Sequence, residues 1–396
     1  MSFAVRVAPD GATPVSILLD TVRVWRYAVC HVVDYCITRR QTSLAKVHRA
    51  LYRLLRKRYG LPARLATDAI RQGIWIAKGW LKNPRRGRRP VIKRLWMVLT
   101  SKSYSFKGRD EVSVLTLDGR RSFKLVYVER WHGRYRDWKP KEARLVVKDG
   151  RIWLKVVVEK DIPLVETEGF LGVDVNYANV TLSDGTRIEI PAFKRAHGLR
   201  IEAERIQKRH GKRWRYVKDV RHRIRALHAR SRNVIIDACR KVGLEVARRA
   251  YEARKTIVLE DLTGLRNSVN RKSQLWRVRL SLWAYRELQK WIVWKARLYG
   301  VPVLVVNPRG TSSTCPKCGA RLAASGGRRL RCTSCGFEED RDLIAAMNLE
   351  MRGAQAALMP PKADATPRSD AGGVRELGGL QRFIYVMKGT RGTINP

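Results

Sequence analysis

Two C-x-x-C pairs near the carboxyl-terminal end of the chain have the spacing of a metal site. Cys315 and Cys318 form the first pair, and Cys332 and Cys335 form the second, with 13 residues between the pairs. Each pair can present two thiolates from one tight turn, and two such turns make a closed tetrahedral site suited to structural zinc. We therefore predict one structural Zn2+ on these four cysteines. Two disulfides or four incidental thiols are the alternatives.

Three carboxylates adjoin apolar segments. Asp174 lies inside the run LGVDV, Glu260 ends the run IVLE, and Asp342 opens the helix-forming segment LIAAMNLEM. An acid closing a buried strand is commonly a cap or turn residue, so each signal alone is weak. Buried acids are costly unless they bind metal or pair. Three acids at one sheet edge can hold two Mg2+ ions roughly 4 Å apart, which activate water and stabilise the leaving oxygen of a phosphodiester.

The neighbouring acids can be separated from these three by geometry. Asp261 follows Glu260 on a strand, so its side chain points to the opposite side of the sheet. Asp340 and Asp342 are two residues apart at a helix start and point about 200° apart. Asp340 fits an N-cap, whereas Asp342 can reach the sheet edge. The predicted magnesium ligands are therefore Asp174, Glu260 and Asp342.

The segment from residue 169 to residue 349 must bring these acids together. It reads as three strands within 169–193, a helical region over 194–254, a strand over 255–262, a helix over 279–299, a strand over 301–306 and a final helix. This is the element order of the ribonuclease H-like fold. Four apolar residues in the helical region recur at helical spacing and predict the seam of a helix hairpin: Val217, Val220, Ile224 and Leu227.

The amino-terminal part reads as a β-barrel interrupted by helices. A strand over 3–7 is followed by three helices between residues 16 and 80, a basic loop over 83–90, and hairpins over 112–128 and 143–158 with Asp-Gly turns. Between the hairpins, residues 129–141 interleave arginines with Trp131, Tyr135 and Trp138. Such a segment suits nucleic-acid contacts with stacked bases, and aromatic residues that cap a barrel are an equal alternative.

The charge of the chain points to a polyanionic partner. Lysine and arginine outnumber the acids 82 to 35, which gives a formal net charge of +47 over 396 residues. Nucleic acid is the expected partner. A membrane surface is less suitable, and no apolar run of about 18 residues or signal peptide is found. The scattered thiols Cys30, Cys36 and Cys239 fit a reducing cytoplasm.

Several motifs together resemble a known family. GVDVNYANVTLSDG, TIVLEDL, TSSTCPKCG and CGFEEDRDLIAAMNL resemble the split RuvC motifs and zinc ribbon of TnpB proteins, which insertion sequences encode and which are miniature relatives of the type V CRISPR effectors. The resemblance covers nearly the whole chain, because the amino-terminal half also looks like the wedge barrel of that family with its inserted helical recognition lobe. Two positions depart from the family pattern: Asn176 stands for its usual glycine and Ile344 for its usual asparagine.

The resemblance implies a multidomain α/β and β protein that is an RNA-guided DNA endonuclease. The implied domains are a wedge β-barrel over 1–165 with a helical insert at about 15–110, a RuvC-like nuclease domain over 166–310, a zinc ribbon over 311–338, and the last RuvC-like helix over 339–351. Residues 352–396 are predicted to be a disordered tail. The resemblance also implies two Mg2+ ions on the catalytic acids Asp174, Glu260 and Asp342, one Zn2+ on the four cysteines, a guide RNA from the transposon end and a double-stranded DNA target.

Three other functions remain open from the sequence. A nuclease-inactive RNA-guided repressor would be signalled by loss of one of the acids, and none is lost. A tyrosine-type transposase needs a His-hydrophobic-His pair, which is absent, and a DDE-type integrase would not usually place a cysteine ribbon before its last acid. A zinc-ribbon RNA-binding protein explains the charge but leaves the three acids without a role.

Overall fold

A computed structural model describes residues 2–11, 13–84, 87–176, 179–261 and 285–358 of the chain. Two compact units divide it, Met1–Asp161 and Ile162–Pro396. Each unit has a hydrophobic core of its own. No helix in the described ranges combines the length and apolar character needed to cross a membrane.

The first unit is built on a seven-stranded antiparallel sheet in the order β2-β6-β7-β1-β5-β4-β3. Its strands are β1 (Ser2–Ala8), β2 (Trp96–Leu99), β3 (Tyr104–Phe106), β4 (Glu111–Thr116), β5 (Gly119–Val126), β6 (Lys139–Lys148) and β7 (Arg151–Glu159). Both predicted hairpins are present. Asp149 and Gly150, which join β6 to β7, have φ of 50° and 70°, the left-handed geometry that a tight Asp-Gly hairpin turn requires.

Three helices lie between β1 and β2 and share one core with the sheet. They are α1 (Ser16–Thr38), α2 (Leu44–Tyr59) and α3 (Ala63–Leu81), as the periodicity predicts. Trp25 of α1 is buried, and its indole Nε1 donates to the carbonyl of Leu65 on α3 at 3.2 Å. The helices end at Leu81, and β2 and β3 belong to the sheet. The helical segment is therefore shorter than residues 15–110.

The aromatic residues between the two hairpins divide into two groups. Residues Glu129–His132 form the short helix α4. Tyr135 stacks on Phe3 with ring centroids 5.2 Å apart, and Trp138 packs edge-on against Tyr135. Trp131 is 57% exposed, and the guanidinium groups of flanking arginines lie 5.5 and 5.7 Å from its ring centroid. Two of the three aromatic residues thus cover the core, and one stands at the surface between cations.

The second unit is built on a five-stranded sheet in the order β10-β9-β8-β11-β12. Its strands are β8 (Gly169–Val175), β9 (Asn179–Leu182), β10 (Arg187–Glu189), β11 (Lys255–Glu260) and β12 (Val303–Val306). The first three are antiparallel neighbours, whereas β8, β11 and β12 run parallel. The described strands and helices follow one another along the chain in the predicted order.

One face of this sheet is covered by three helices that enclose the core, α5 (Ala192–His210), α6 (Lys218–Glu252) and α7 (Tyr285–Tyr299). The first part of the helix predicted over 279–299 lies outside the described residues. The hydroxyl of Ser231 on α6 donates to the carbonyl of Ala196 on α5 at 2.9 Å, which joins the two arms of the predicted hairpin. The seam was partly wrong: Ile224 is buried, but Val217 precedes the first turn of α6 and is 44% exposed.

The opposite face of the sheet is covered by the last described helix, α8 (Arg341–Leu358). It continues through Leu358, so residues 352–358, predicted to belong to the tail, are helical. Residues 359–396 lie outside the described ranges. Between β12 and α8 the chain forms a three-stranded antiparallel sheet of β13 (Leu322–Gly326), β14 (Arg329–Cys332) and β15 (Glu338–Asp340).

Candidate active site

Strand β8 carries apolar residues on one face and Asp174 on the other. Leu171, Val173 and Val175 are buried in the core beneath α5–α7. Because strand side chains alternate between faces, Gly172 and Asp174 point to the opposite side, which α8 covers. Asp174 is paired directly with Thr181 of β9, so the two side chains lie on the same face.

Strand β11 brings Glu260 level with Asp174. It runs parallel to β8, with Val258 paired to Gly172 and Leu259 paired to Val173. The next residue of β11 is Glu260, and the next residue of β8 is Asp174. Both carboxylates therefore lie on the α8 face, near the carboxyl ends of neighbouring strands. Asp261 follows the last residue of β11 and is exposed.

A glycine on β8 allows α8 to approach the sheet closely. A Cβ atom at Gly172 would overlap the backbone carbonyl of Ala346, and one at Gly353 of α8 would overlap the side chain of Val258 on β11. Gly172 therefore lets the backbone of α8 lie against that of β8, and Gly353 leaves room for the Val258 side chain, where a larger residue would hold the helix away. The close contact sets the first turn of α8 beside the end of β8.

The start of α8 places Asp342 at this face. Oδ1 of Asp340 accepts a hydrogen bond from the backbone N–H of Asp342 at 2.8 Å, which is the predicted N-cap contact. Asp340 therefore caps the helix, whereas the side chain of Asp342 is buried. Further along the helix, Nδ2 of Asn348 donates to the carbonyls of Thr311 and Thr314 at 2.7 and 2.8 Å. Those contacts tie α8 to the segment that enters the cysteine pairs.

The electrostatics show that the three acids converge. Burial and the charges of Glu260 and Asp342 together raise the pKa of Asp174 to about 7, against an opposing hydrogen bond from Asn176. Burial also raises the pKa of Glu260. Like charges disfavour ionisation of a neighbour only at close range in such an environment. The arrangement gathers negative charge that a cation would stabilise.

Several oxygens on this face have no hydrogen-bond donor among the described residues. They are buried side-chain atoms: Oδ2 of Asp342, Oγ1 of Thr181 and Oδ1 of Asn179. The other oxygen of Asp342, Oδ1, accepts from the guanidinium of Arg328, which lies in the turn between β13 and β14. Buried acceptors in folded proteins nearly always have a partner. Carboxylate oxygens left open in this way fit a hard divalent cation such as Mg2+.

The two positions that depart from the family pattern have local explanations. Asn176 does not have the positive φ that a glycine can adopt. Instead its Nδ2 donates to Oδ2 of Asp174 at 2.6 Å. Ile344 is fully buried and packs with Cys315, Leu322 and Cys332 in a small core beneath the three-stranded sheet. An apolar residue there joins α8 to the cysteine-bearing sheet.

The four cysteines predicted as zinc ligands are brought together. Their sulfurs all lie within 4.8 Å of one another, with Cys315 and Cys335 3.7 Å apart and Cys318 and Cys332 3.4 Å apart. They are free thiols, so the disulfide alternative is wrong. Backbone N–H groups of Cys335 and Ser334 donate to the Cys332 sulfur and lower its pKa to about 6. The cluster can hold one metal ion, and thiolates are ligands that zinc prefers.

The glycines after each pair close the two turns. Gly319 and Gly336 have φ of 77° and 72°, a geometry that only glycine adopts readily. Their N–H groups donate to the carbonyls of Cys315 and Cys332 at 2.9 and 3.3 Å. Each turn therefore directs the two sulfurs of its pair to the same side.

Comparison with known proteins places this arrangement in a family. Residues 285–349 match the model described as Cas12f1-like, TNB domain. A TnpB-like protein of Methanocaldococcus jannaschii is 29% identical over 268 residues, which are 62% of this chain and 91% of the relative. The chain belongs to the TnpB family. It is related to the type V effectors.

Two further comparisons extend the relationship. The CRISPR-associated endodeoxyribonuclease Cas12f1 of Sulfoacidibacillus thermotolerans is 34% identical over 96 residues, which are 24% of this TnpB-family chain and 21% of the relative. A cryo-EM structure of a Cas12f1-sgRNA-target DNA complex aligns with a TM-score of 0.55 at 15% identity, covering 85% of this chain and 82% of that one. The structural likeness extends to most of the fold.

Sequence reasoning missed several residues at this site. Arg328 gave no signal, because one arginine in the run GGRRLRC is indistinguishable from its neighbours. Thr181 and Asn179 looked like ordinary strand residues. They are two residues apart on the strand that precedes the Asp184-Gly185 turn, so their side chains lie on the same face of the sheet. Gly172, in the run LGVD, is a glycine inside a buried strand, and that pattern indicates close approach of another backbone.

Proposed function

We propose that this protein is an RNA-guided DNA endonuclease of an insertion sequence, which hydrolyses phosphodiester bonds at a RuvC-like, ribonuclease H-type site. The observation that carries the proposal is the convergence of Asp174, Glu260 and Asp342 on one face of the five-stranded sheet beneath α8. The relatives include TnpB-like proteins and an endodeoxyribonuclease, which supports a nuclease of this general kind.

The three carboxylates would hold the divalent cations of the reaction. Their burial and mutual repulsion favour a cation over solvent, and the open oxygen of Asp342 is available to it. Bound magnesium supplies an activated water and stabilises the charge on the leaving oxygen. The hydrogen bond from Asn176 orients the Asp174 carboxylate, and the apolar core behind β8 excludes water from the other side of the sheet.

The cysteine cluster would act on the site through structure rather than chemistry. The chain passes from Cys335 through β15 directly into α8, and Ile344 and Asn348 anchor that helix to the cysteine-bearing segment. Zinc bound by Cys315, Cys318, Cys332 and Cys335 would therefore fix the position of Asp342. Arg328, carried on the same small sheet, neutralises part of its charge.

The basic charge would be shared by a guide RNA and the DNA target. Residues 194–254 alone carry 20 lysines and arginines against 6 acids. When this many cations contact nucleic-acid phosphates, counterions are released. The affinity for nucleic acid should therefore fall steeply as the salt concentration rises. By resemblance to the family, we propose that the RNA comes from the transposon end and that targets lie beside a short target-adjacent motif.

The test is programmed cleavage. The protein is expressed together with the DNA that flanks its own gene, the copurifying RNA is sequenced, and the complex is incubated with Mg2+ and a plasmid library of candidate targets. We expect cuts that follow the guide sequence when the guide is replaced, and none with Asp174→Ala. Equal cutting by RNA-free protein at unrelated sites would contradict RNA guidance and leave an unprogrammed nuclease.

A further inference from the structure

The tip of the α5–α6 hairpin, defined as residues 205–218, is an exposed concentration of cations. It contains no acid and seven exposed basic side chains: Arg205, Lys208, Arg209, Lys212, Arg213, Arg215 and Lys218. Throughout the described ranges, none of these seven forms an ion pair with a carboxylate. Elsewhere on the same hairpin, Arg223 and Lys241 pair with Glu202 and Asp237 at 3.2 and 2.8 Å. The tip is therefore a continuous segment whose cations have no carboxylate partner among the described residues.

The tip also carries an aromatic ring that faces solvent. Tyr216 is 85% exposed and follows the short 3-10 turn Gly211–Arg215. The guanidinium of Arg215 lies 5.5 Å from the ring centroid of the half-buried Trp214. This arginine therefore contacts Trp214, and the Tyr216 ring stays exposed. Exposing an aromatic ring this fully is unfavourable for an isolated protein. A ligand with a flat apolar face and negative charge on both sides would cover the ring and neutralise the cations together.

The hairpin extends beyond the end of the sheet where the acids lie, which is the end at which β8 and β11 finish. Strand β10 is antiparallel to β9 and hence runs with β8, so α5 starts at the edge where Asp174 lies. The part of α6 that packs in the core runs from Ile235 onward. Residues 218–234 therefore reach about 25 Å beyond that edge at 1.5 Å per residue. A nucleic-acid strand leaving the acidic site would cover that distance in about seven nucleotides.

We propose that the hairpin tip binds an unpaired segment of nucleic acid, with the Tyr216 ring stacked on a base and the surrounding cations on the flanking phosphates. Unpaired bases fit better than a duplex, because the faces of paired bases are covered by their stacked neighbours. Stacking needs only an aromatic face and tolerates any base. The proposal rests on the proposed nuclease only for the source of the strand, and the binding can be measured without cleavage.

The test compares two fluorescent probes with the full-length protein in EDTA. One is a blunt DNA duplex of about 20 base pairs, and the other is the same duplex with a single-stranded 3′ extension of about ten nucleotides. The variants are Tyr216→Ala, Tyr216→Phe and, as a control, Tyr27→Ala. Tyr27 is a tyrosine of the first unit that is 61% exposed. A 2-aminopurine base in the extension reports stacking directly.

Tyr216→Ala should weaken binding of the extended probe by about tenfold, within the range measured for one stacked base, and change blunt-duplex binding by less than about twofold. Tyr216→Phe should bind like the wild type, since phenylalanine keeps the ring, and 2-aminopurine quenching should disappear only with Tyr216→Ala. Replacing Lys212 and Arg213 together by glutamine should lower the salt dependence of extended-probe binding. Repeating the titration with an RNA extension distinguishes guide from target as the source.

Equal weakening of both probes, or the same loss with Tyr27→Ala, would overturn the proposal. The proposal would also fail if Tyr216→Ala bound nucleic acid as the wild type does but had a different molecular mass by analytical ultracentrifugation. The tip would then be a contact between protein molecules. The outcome is independent of the acidic site, since the same titrations with Asp342→Ala protein should give the wild-type result even if that variant or the wild type cuts nothing.

Discussion

Without bound metal, the cluster of acids should make the wild-type protein less stable than the variant Asp174→Asn, in which one of the acids is neutral. Asp174 is buried beside Glu260 and Asp342, which raises its pKa from 3.8 to about 7. At about 1.4 kcal/mol per pKa unit, ionising this carboxyl in the folded protein at neutral pH costs about 4 kcal/mol. Asp174→Asn removes the charge and keeps an oxygen that accepts from Asn176. We therefore expect the variant to be more stable in EDTA by about 2–4 kcal/mol.

The pH dependence has a definite sign. Because the pKa of this carboxyl is raised in the folded state, the folded protein binds more protons than the unfolded chain between pH 3.8 and about 7. Its contribution to stability is therefore lost as the pH rises through that window. The advantage of Asp174→Asn should be small near pH 4 and grow to its full size above pH 7.

Thermal and urea unfolding in EDTA, followed by circular dichroism at several pH values, measures this difference. A gain of 2–4 kcal/mol corresponds to a rise in Tm of roughly 5–10 °C for a unit of this size. Adding Mg2+ should stabilise the wild type and leave the variant nearly unchanged, since a ligand that binds only the native state raises its stability. Asp261→Asn is the matched control on the same strand end. A destabilised Asp174→Asn protein, or a difference that does not change with pH, would refute the reasoning.

Three further outcomes follow from the same geometry. Asp342→Ala should abolish Mg2+-dependent cleavage while Asp340→Ala, which removes only a cap worth about 1 kcal/mol, retains most of it; the reverse ranking in a plasmid-nicking assay would be incompatible with Asp342 as the ligand. Cys332→Ser should reduce bound zinc from about one ion per chain, measured by mass spectrometry, and lower cleavage although no cysteine reacts. Gly172→Val should displace α8 and inactivate the protein without changing zinc content, and full activity of that variant would disprove the close approach.

The sequence was sufficient for the parts of the fold that have a strong local signal. Apolar alternation, buried apolar runs and Asp-Gly turns located most strands of the two large sheets, and the cysteine spacing located the cysteine cluster. Asp340 as a cap followed from residue type and position. Strands β2 and β3 were missed because each is only four or three residues long and has no room for a periodic pattern.

What the sequence could not supply is contact between distant segments. Arg328 meets Asp342 because the turn between β13 and β14 folds back over the start of α8, and no local rule predicts that direction. The hydrogen bond from Asn176 to Asp174 could not be predicted either, because residue type alone does not give the direction of a side chain. The seam of the α5–α6 hairpin was misplaced at Val217, because periodicity continues through the residue before a helix even when that residue is outside it.

The docking of α8 against Gly172 also fixes an order of events during synthesis. Strand β8 and strand β11 leave the ribosome early, whereas Asp342 is carried by the last described helix of the chain. Domains generally fold as they emerge, from the amino terminus onward. The α5–α6 hairpin, with its cations, is therefore complete before the third carboxylate exists. If the proposed function holds, a nascent chain would bind RNA before it could cut, because the catalytic site is complete only after translation has passed the cysteine-bearing sheet.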